Sequence, residues 1–84
     1  MPTAFVLLNS DLGSDVPVIE EVKRLLSAGD VRYEVRGVYG IYDIIVKLSA
    51  PTHEEIRAVI TERLRRIPEV QSTLTMMVVE GQGS

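Results

Sequence analysis

The chain has 84 residues, 45% of them apolar, with no cysteine, one histidine and a formal net charge of −3. A single domain of this size buries only about 60–65% of its unfolded surface, so its core is thin and self-association is favoured. The acidic balance disfavours direct binding to a nucleic-acid backbone. The missing cysteines and the lone His53 exclude disulfides, thiolate metal sites and histidine clusters.

No apolar run approaches the roughly 18 residues that a membrane span requires. No basic segment precedes the first strand as a signal peptide would have it, so the chain is expected to be soluble and cytoplasmic. Residues 1–80 are read as one domain and 81–84 as a flexible tail with nothing to pack against.

Residues 3–9 form a continuous apolar run of strand length, the pattern of a strand buried on both faces. A loop containing Gly13 follows. Asp15 or Val16 is expected to cap a helix with Pro17 in its first turn, where a missing N–H costs nothing. Val18, Ile19, Val22, Leu25 and Leu26 recur at helical spacing, with Glu20, Glu21, Lys23 and Arg24 on the other face. Gly29 stands where a C-cap glycine belongs.

Residues 31–39 alternate as a strand: Val31, Tyr33 and Val35 point one way, Arg32, Glu34 and Arg36 the other. The stretch from Gly37 to Asp43 reads as a hairpin connection in which Gly40 supplies a positive φ. Residues 42–49 form the third strand, apolar on both parities, and Pro51 ends it. Thr52 and Glu55 make a capping box for a second helix. That helix carries Ile56, Val59, Ile60 and Leu64 on one face, with Ile67 at its exit before Pro68. Residues 70–80 form the last strand.

The order is βαββαβ, an α+β ferredoxin-like fold with strands one and three central. Two helices cover only one face of such a sheet. A face left to water requires alternation in every strand, yet strands one, three and four are apolar on both parities. Exposing four or five large side chains costs about 1.5–3 kcal/mol each relative to burial. The expectation is therefore a homodimer, an α/β sandwich with the sheets packed face to face. Strand four lacks Lys and Pro from residue 73 to 79, so its edge has none of the usual protection and is expected to meet another subunit.

Catalytic chemistry finds few carriers. His53 lies in the first turn of a capped helix and reads as solvated. The cluster Arg57, Arg63, Arg65 and Arg66 sits toward a helix C-terminus, where the dipole favours cations. Gly37 and Gly40 lack the lysine and helix of a phosphate loop. No catalytic residue, metal or cofactor is assigned. The main polar set is Gly37, Gly40, Tyr42 and Asp43 with the hydroxyls Ser72, Thr73 and Thr75. It suits a small zwitterion, with Asp43 for an ammonium and amides and threonines for a carboxylate.

The βαββαβ order, the turn Val38-Tyr39-Gly40-Ile41-Tyr42-Asp43, the segment Arg66-Ile67-Pro68-Glu69-Val70 and the strand Ser72-Thr73-Leu74-Thr75 resemble the effector (RAM) domain of Lrp/AsnC transcription regulators. The resemblance runs from Thr3 to about Val79. It implies a non-enzymatic module for amino-acid sensing and oligomerisation, built as homodimers assembled into octamer or decamer rings. Effectors bind between dimers, at Gly40, Ile41, Tyr42 and Asp43, with Thr73 and Thr75 as further contacts. Many members carry a polar residue where this chain has Ile41. Members usually carry an N-terminal helix-turn-helix, for which this chain has no room, so it is expected to be a stand-alone form without direct nucleic-acid contact, with full-length relatives as further partners.

Two other classes share the architecture. A small dimeric α+β-barrel enzyme of the monooxygenase or isomerase type needs a cleft lined by His, Asn or Trp; this chain has no Trp, His53 alone and Asn9 alone. An ACT-like regulatory domain binds its ligand at the loop after strand one, near Gly13 rather than Gly40.

Overall fold

Each periodic stretch becomes the element its spacing predicts in the computed structural model, which describes residues 2–79. The elements are β1 (Thr3–Ser10), α1 (Asp15–Ser27), β2 (Arg32–Gly37), β3 (Ile44–Ser49), α2 (His53–Glu62) and β4 (Val70–Met77). The strands form one antiparallel sheet in the order β2-β3-β1-β4, with β1 and β3 central. This is the expected ferredoxin-like α+β arrangement. The tail expected at 81–84 lies outside the described residues.

Alternation decides which side of each strand meets the helices. Ala4, Val6 and Leu8 of β1 and Ile44, Val46 and Leu48 of β3 are all fully buried. They pack with Val18, Val22 and Leu26 of α1 and with Ile56 and Ile60 of α2 in one cluster. No polar side chain is buried with them among the described residues. Arg63 ties the two helices together by donating from Nη1 to the Leu25 carbonyl oxygen at 3.1 Å. This arginine of the basic cluster is exposed and also makes a surface tie to α1.

Several boundaries differ from the expectation. The N-cap of α1 is Ser14, not Asp15 or Val16; its side chain makes no capping bond, and its carbonyl accepts from Val18 N–H at 3.0 Å. The C-cap is Ala28 in right-handed helical conformation. Gly29 follows it without the positive φ of a C-cap glycine, since the positive-φ glycines are Gly13 and Gly40. At α2 the Thr52 hydroxyl accepts from Glu55 N–H at 3.2 Å, one half of the capping box.

α2 stops at Glu62, and a single 3-10 turn, Leu64–Arg66, takes its place before Pro68. The tighter turn brings residues three apart onto one side, and Leu64 and Ile67 are both buried. Ile67 is already extended, as the residue before a proline prefers to be.

Candidate functional site

The connection between β2 and β3 is wider than a two-residue hairpin. β2 ends at Gly37 and β3 starts at Ile44, so residues 38–43 form a loop closed by Val38 N–H donating to the Asp43 carbonyl at 2.9 Å. Gly40 stands within it at φ +147°, a conformation that side chains disfavour. The sequence reading that continued the strands to Tyr39 and from Tyr42 overlooked this. Tyr39 and Ile41 project into solvent.

Asp43 is the hub of the loop. Its N–H donates to the Leu8 carbonyl at 3.2 Å. Its carboxylate accepts two bonds from Ser10, the backbone N–H at 3.1 Å and the hydroxyl at 2.6 Å. The β1–β4 register shifts between Asn9 and Ser10, and a bulge of this kind re-aims side chains at a strand end. Beside this pair, the Asn9 side-chain amide donates to Ser72 Oγ at 3.4 Å. Asp11 N–H donates to the Glu69 carbonyl at 2.8 Å. The ends of β1 and β3 and the start of β4 thus meet in one polar string.

The site residues expected from sequence fall into two groups. Gly40, Ile41, Tyr42 and Asp43 share the loop, with Tyr42 and Asp43 half-buried and Ile41 exposed. Thr73 lies opposite Leu8 on the far side of β1, and Thr75 lies opposite Val6. Leu8 is also the partner of Ile44, so Thr73 stands two strand spacings, about 10 Å, from the β3 end, and Thr75 about 7 Å further along. Within one chain the threonines and Asp43 therefore do not converge. Both threonines lie on the helix side of β4, whereas Leu74 and Met76 lie on the open side.

Ser10 was not singled out from sequence. A hydroxyl ending an apolar strand carries no signal of a partner 33 residues away.

Two surfaces flank the loop. At the same end of the sheet, Leu12 from the β1–α1 loop, Val16 from the first turn of α1, and Val38, Tyr39 and Ile41 from the β2–β3 loop are exposed apolar side chains. On the open sheet face Phe5, Leu7 and Ile45 are half-buried, and Leu74 and Met76 are exposed. Glu34, Arg36 and Lys47 stand on that same face, Lys47 opposite Phe5 and Arg36 opposite Ile45, with Lys47 Nζ 3.9 Å from Glu34 Oε2. A shallow hollow of 200 Å³ there is lined by Phe5, Glu34, Arg36, Ile45 and Lys47. A cleft of 250 Å³ opens between the helices beside Leu25, Val59, Glu55 and Glu62. Residues 40–43 line neither.

His53 is exposed at the first position of α2. Among the described residues, the one perturbed ionic pair lies on the outer face of α1. The hydrogen bond from Arg24 holds the Glu21 carboxyl below its ordinary range, and the same bond raises Arg24.

Comparison with known proteins places this geometry among relatives. Residues 3–81 match the model of the Lrp/AsnC ligand binding domain. An uncharacterized HTH-type transcriptional regulator of Pyrococcus furiosus is 37% identical over 75 residues, which are 89% of this chain and 49% of that protein. The chain spans about half the length of the curated relatives it matches. The crystal structure of a hypothetical protein from Pyrococcus horikoshii aligns at a TM-score of 0.78 and 39% identity, over 94% of this chain and 90% of that one. Escherichia coli AsnC shares the fold at a TM-score of 0.72 and 22% identity, over 99% of this chain and 54% of that one.

Proposed function

The chain belongs to the Lrp/AsnC ligand-binding domain family, and on that premise we propose that it is a non-enzymatic module that senses an amino acid or related small effector and assembles regulators of this family. The match over residues 3–81 carries the proposal. The curated relatives it matches are named as HTH-type transcriptional regulators.

Assembly is the first half of the proposal. Phe5, Leu7, Ile45, Leu74 and Met76 form an apolar patch on the face that the helices leave open. Each is worth about 1.5–3 kcal/mol on full burial, and a second copy of the same face is the occupant that matches it in size and polarity. The exposed apolar residues of the loop end support a further contact between such dimers, closing an octamer or decamer ring. Full-length relatives of the family are further partners. The module works in the cytoplasm.

Effector binding is the second half. The loop offers a carboxylate at Asp43, backbone amides around Gly40, and the side chains of Ile41 and Tyr42. A carboxylate with backbone donors suits a zwitterion. The loop lines neither of the two hollows described above; on this reading the second wall belongs to a neighbouring dimer, and Thr73 and Thr75 enter the site from there.

Isothermal titration against each standard amino acid tests the proposal. At least one binds, and Asp43→Ala weakens it by about tenfold or more, the loss expected for a charged hydrogen bond. Binding by none reduces the module to assembly alone. Native mass spectrometry with and without an amino-acid mixture reads the ring size in the same samples.

A further inference from the structure

We infer that Ser10 is the positioning residue of the candidate effector carboxylate, a clamp that fixes Asp43 and with it the whole β2–β3 loop to the end of β1. Its functional consequence rests on the reading of Asp43 given above; its structural part does not.

The argument starts from what holds the loop. Of residues 38–43 only Tyr42 and Asp43 are even half-buried, and Tyr39 and Ile41 are exposed. Packing therefore does little to order the loop. Gly40 adds backbone freedom. What remains is a set of hydrogen bonds that all pass through Asp43. Its carbonyl accepts from Val38, its N–H donates to Leu8, and its carboxylate accepts from the N–H and the hydroxyl of Ser10.

The hydroxyl bond, at 2.6 Å, has the length of a charge-assisted O–H···O⁻ bond, the strong kind. It also leaves the carboxylate usable. An ionised carboxylate has about four lone-pair sites, and Ser10 occupies one on each oxygen. An ammonium can take the rest without displacing the clamp. Ser10 thus sets the direction in which the free lone pairs point. Because Ser10 leads into the loop that carries Leu12, the same bond fixes the two exposed loops relative to each other.

The test measures amide hydrogen exchange and amino-acid titration on the full chain for Ser10→Ala, Ser10→Thr and Asp43→Asn. In Ser10→Ala the backbone bond to Asp43 stays and the hydroxyl bond goes. The amides of Val38 and Asp43 are expected to exchange about ten- to hundredfold faster, the equivalent of one hydrogen bond to a charged group. The ladder amides of β3 keep their wild-type rates, which separates a local release from a loss of fold. Ser10→Thr, which keeps the hydroxyl, restores the slow exchange. Asp43→Asn, of the same shape but without the charge, reproduces the loosened loop and guards against a Ser10 variant that fails to fold.

Where the wild type binds an amino acid, its affinity falls by a similar factor in Ser10→Ala and returns in Ser10→Thr. Unchanged exchange at Val38 and Asp43 in Ser10→Ala overturns the clamp. Failure of threonine to restore it does the same. A loosened loop together with a wild type that binds no amino acid overturns the effector reading and leaves the clamp standing.

Discussion

The two faces of the sheet are built from neighbouring residues of the same strands, yet they serve different ends. Val6 and Leu8 point to the helices and are fully buried, while Phe5 and Leu7, one residue away, point to the open side and remain half-buried. On the helix side the apolar surface is closed within one chain. On the open side the same kind of surface, Leu74 and Met76 included, is left uncovered by the helices. Residue type alone does not separate the faces. What separates them is that two helices of 13 and 10 residues cover one side of four strands. Stability is therefore expected to reside in the first face and assembly in the second.

Substitutions can break that comparison. Leu8→Ala removes a fully buried side chain and is expected to lower the unfolding free energy by about 2–5 kcal/mol, read as an earlier midpoint in urea. Leu7→Asp, adjacent in sequence but on the open face, is expected to leave far-UV circular dichroism unchanged. In sedimentation the wild type is expected to run as the proposed dimer and the variant as a monomer, because a carboxylate in an apolar contact is expensive to bury. Should Leu7→Asp unfold the chain, or leave it dimeric, the division between the faces fails.

The smallest effect is expected on the outer surface of α1, at Glu21→Gln. Its folded pKa is lowered by Arg24, so the pair contributes stability above the unfolded carboxylate pKa and loses it as pH falls through the folded one. Both side chains are solvent-exposed, where such pairs contribute little. The thermal midpoints of variant and wild type are therefore expected to coincide near neutral pH and below pH 3.

Much of the fold was readable because periodicity reports burial directly. The stripe Val18, Val22 and Leu26 and the alternation Val31, Tyr33 and Val35 each required one face toward the core, and each has it. Boundaries were less readable where the deciding force is not periodic. α2 gives way to a 3-10 turn because Leu64 and Ile67 must both turn inward ahead of Pro68. Ser14 caps α1 through its backbone alone, although Asp15 carries the better-looking side chain. The candidate site was half readable. Gly40 and Asp43 stood out as residues that a turn does not need in that company, but Ser10 did not, since its bond to Asp43 joins residues far apart in the chain.

Sequence by itself determined the element order, the faces of the helices and the excess of apolar residues that one layer of helices cannot cover. Those properties are local or additive, and a side chain carries them wherever the chain goes. Tertiary structure decided which parity of each strand faced the helices, that Thr73 and Thr75 stand across β1 from Asp43, and that Ser10 closes on the Asp43 carboxylate. These depend on register and on one bulge at the end of β1. A shift of one residue in a strand exchanges its two faces, so they exist only once the four strands have paired.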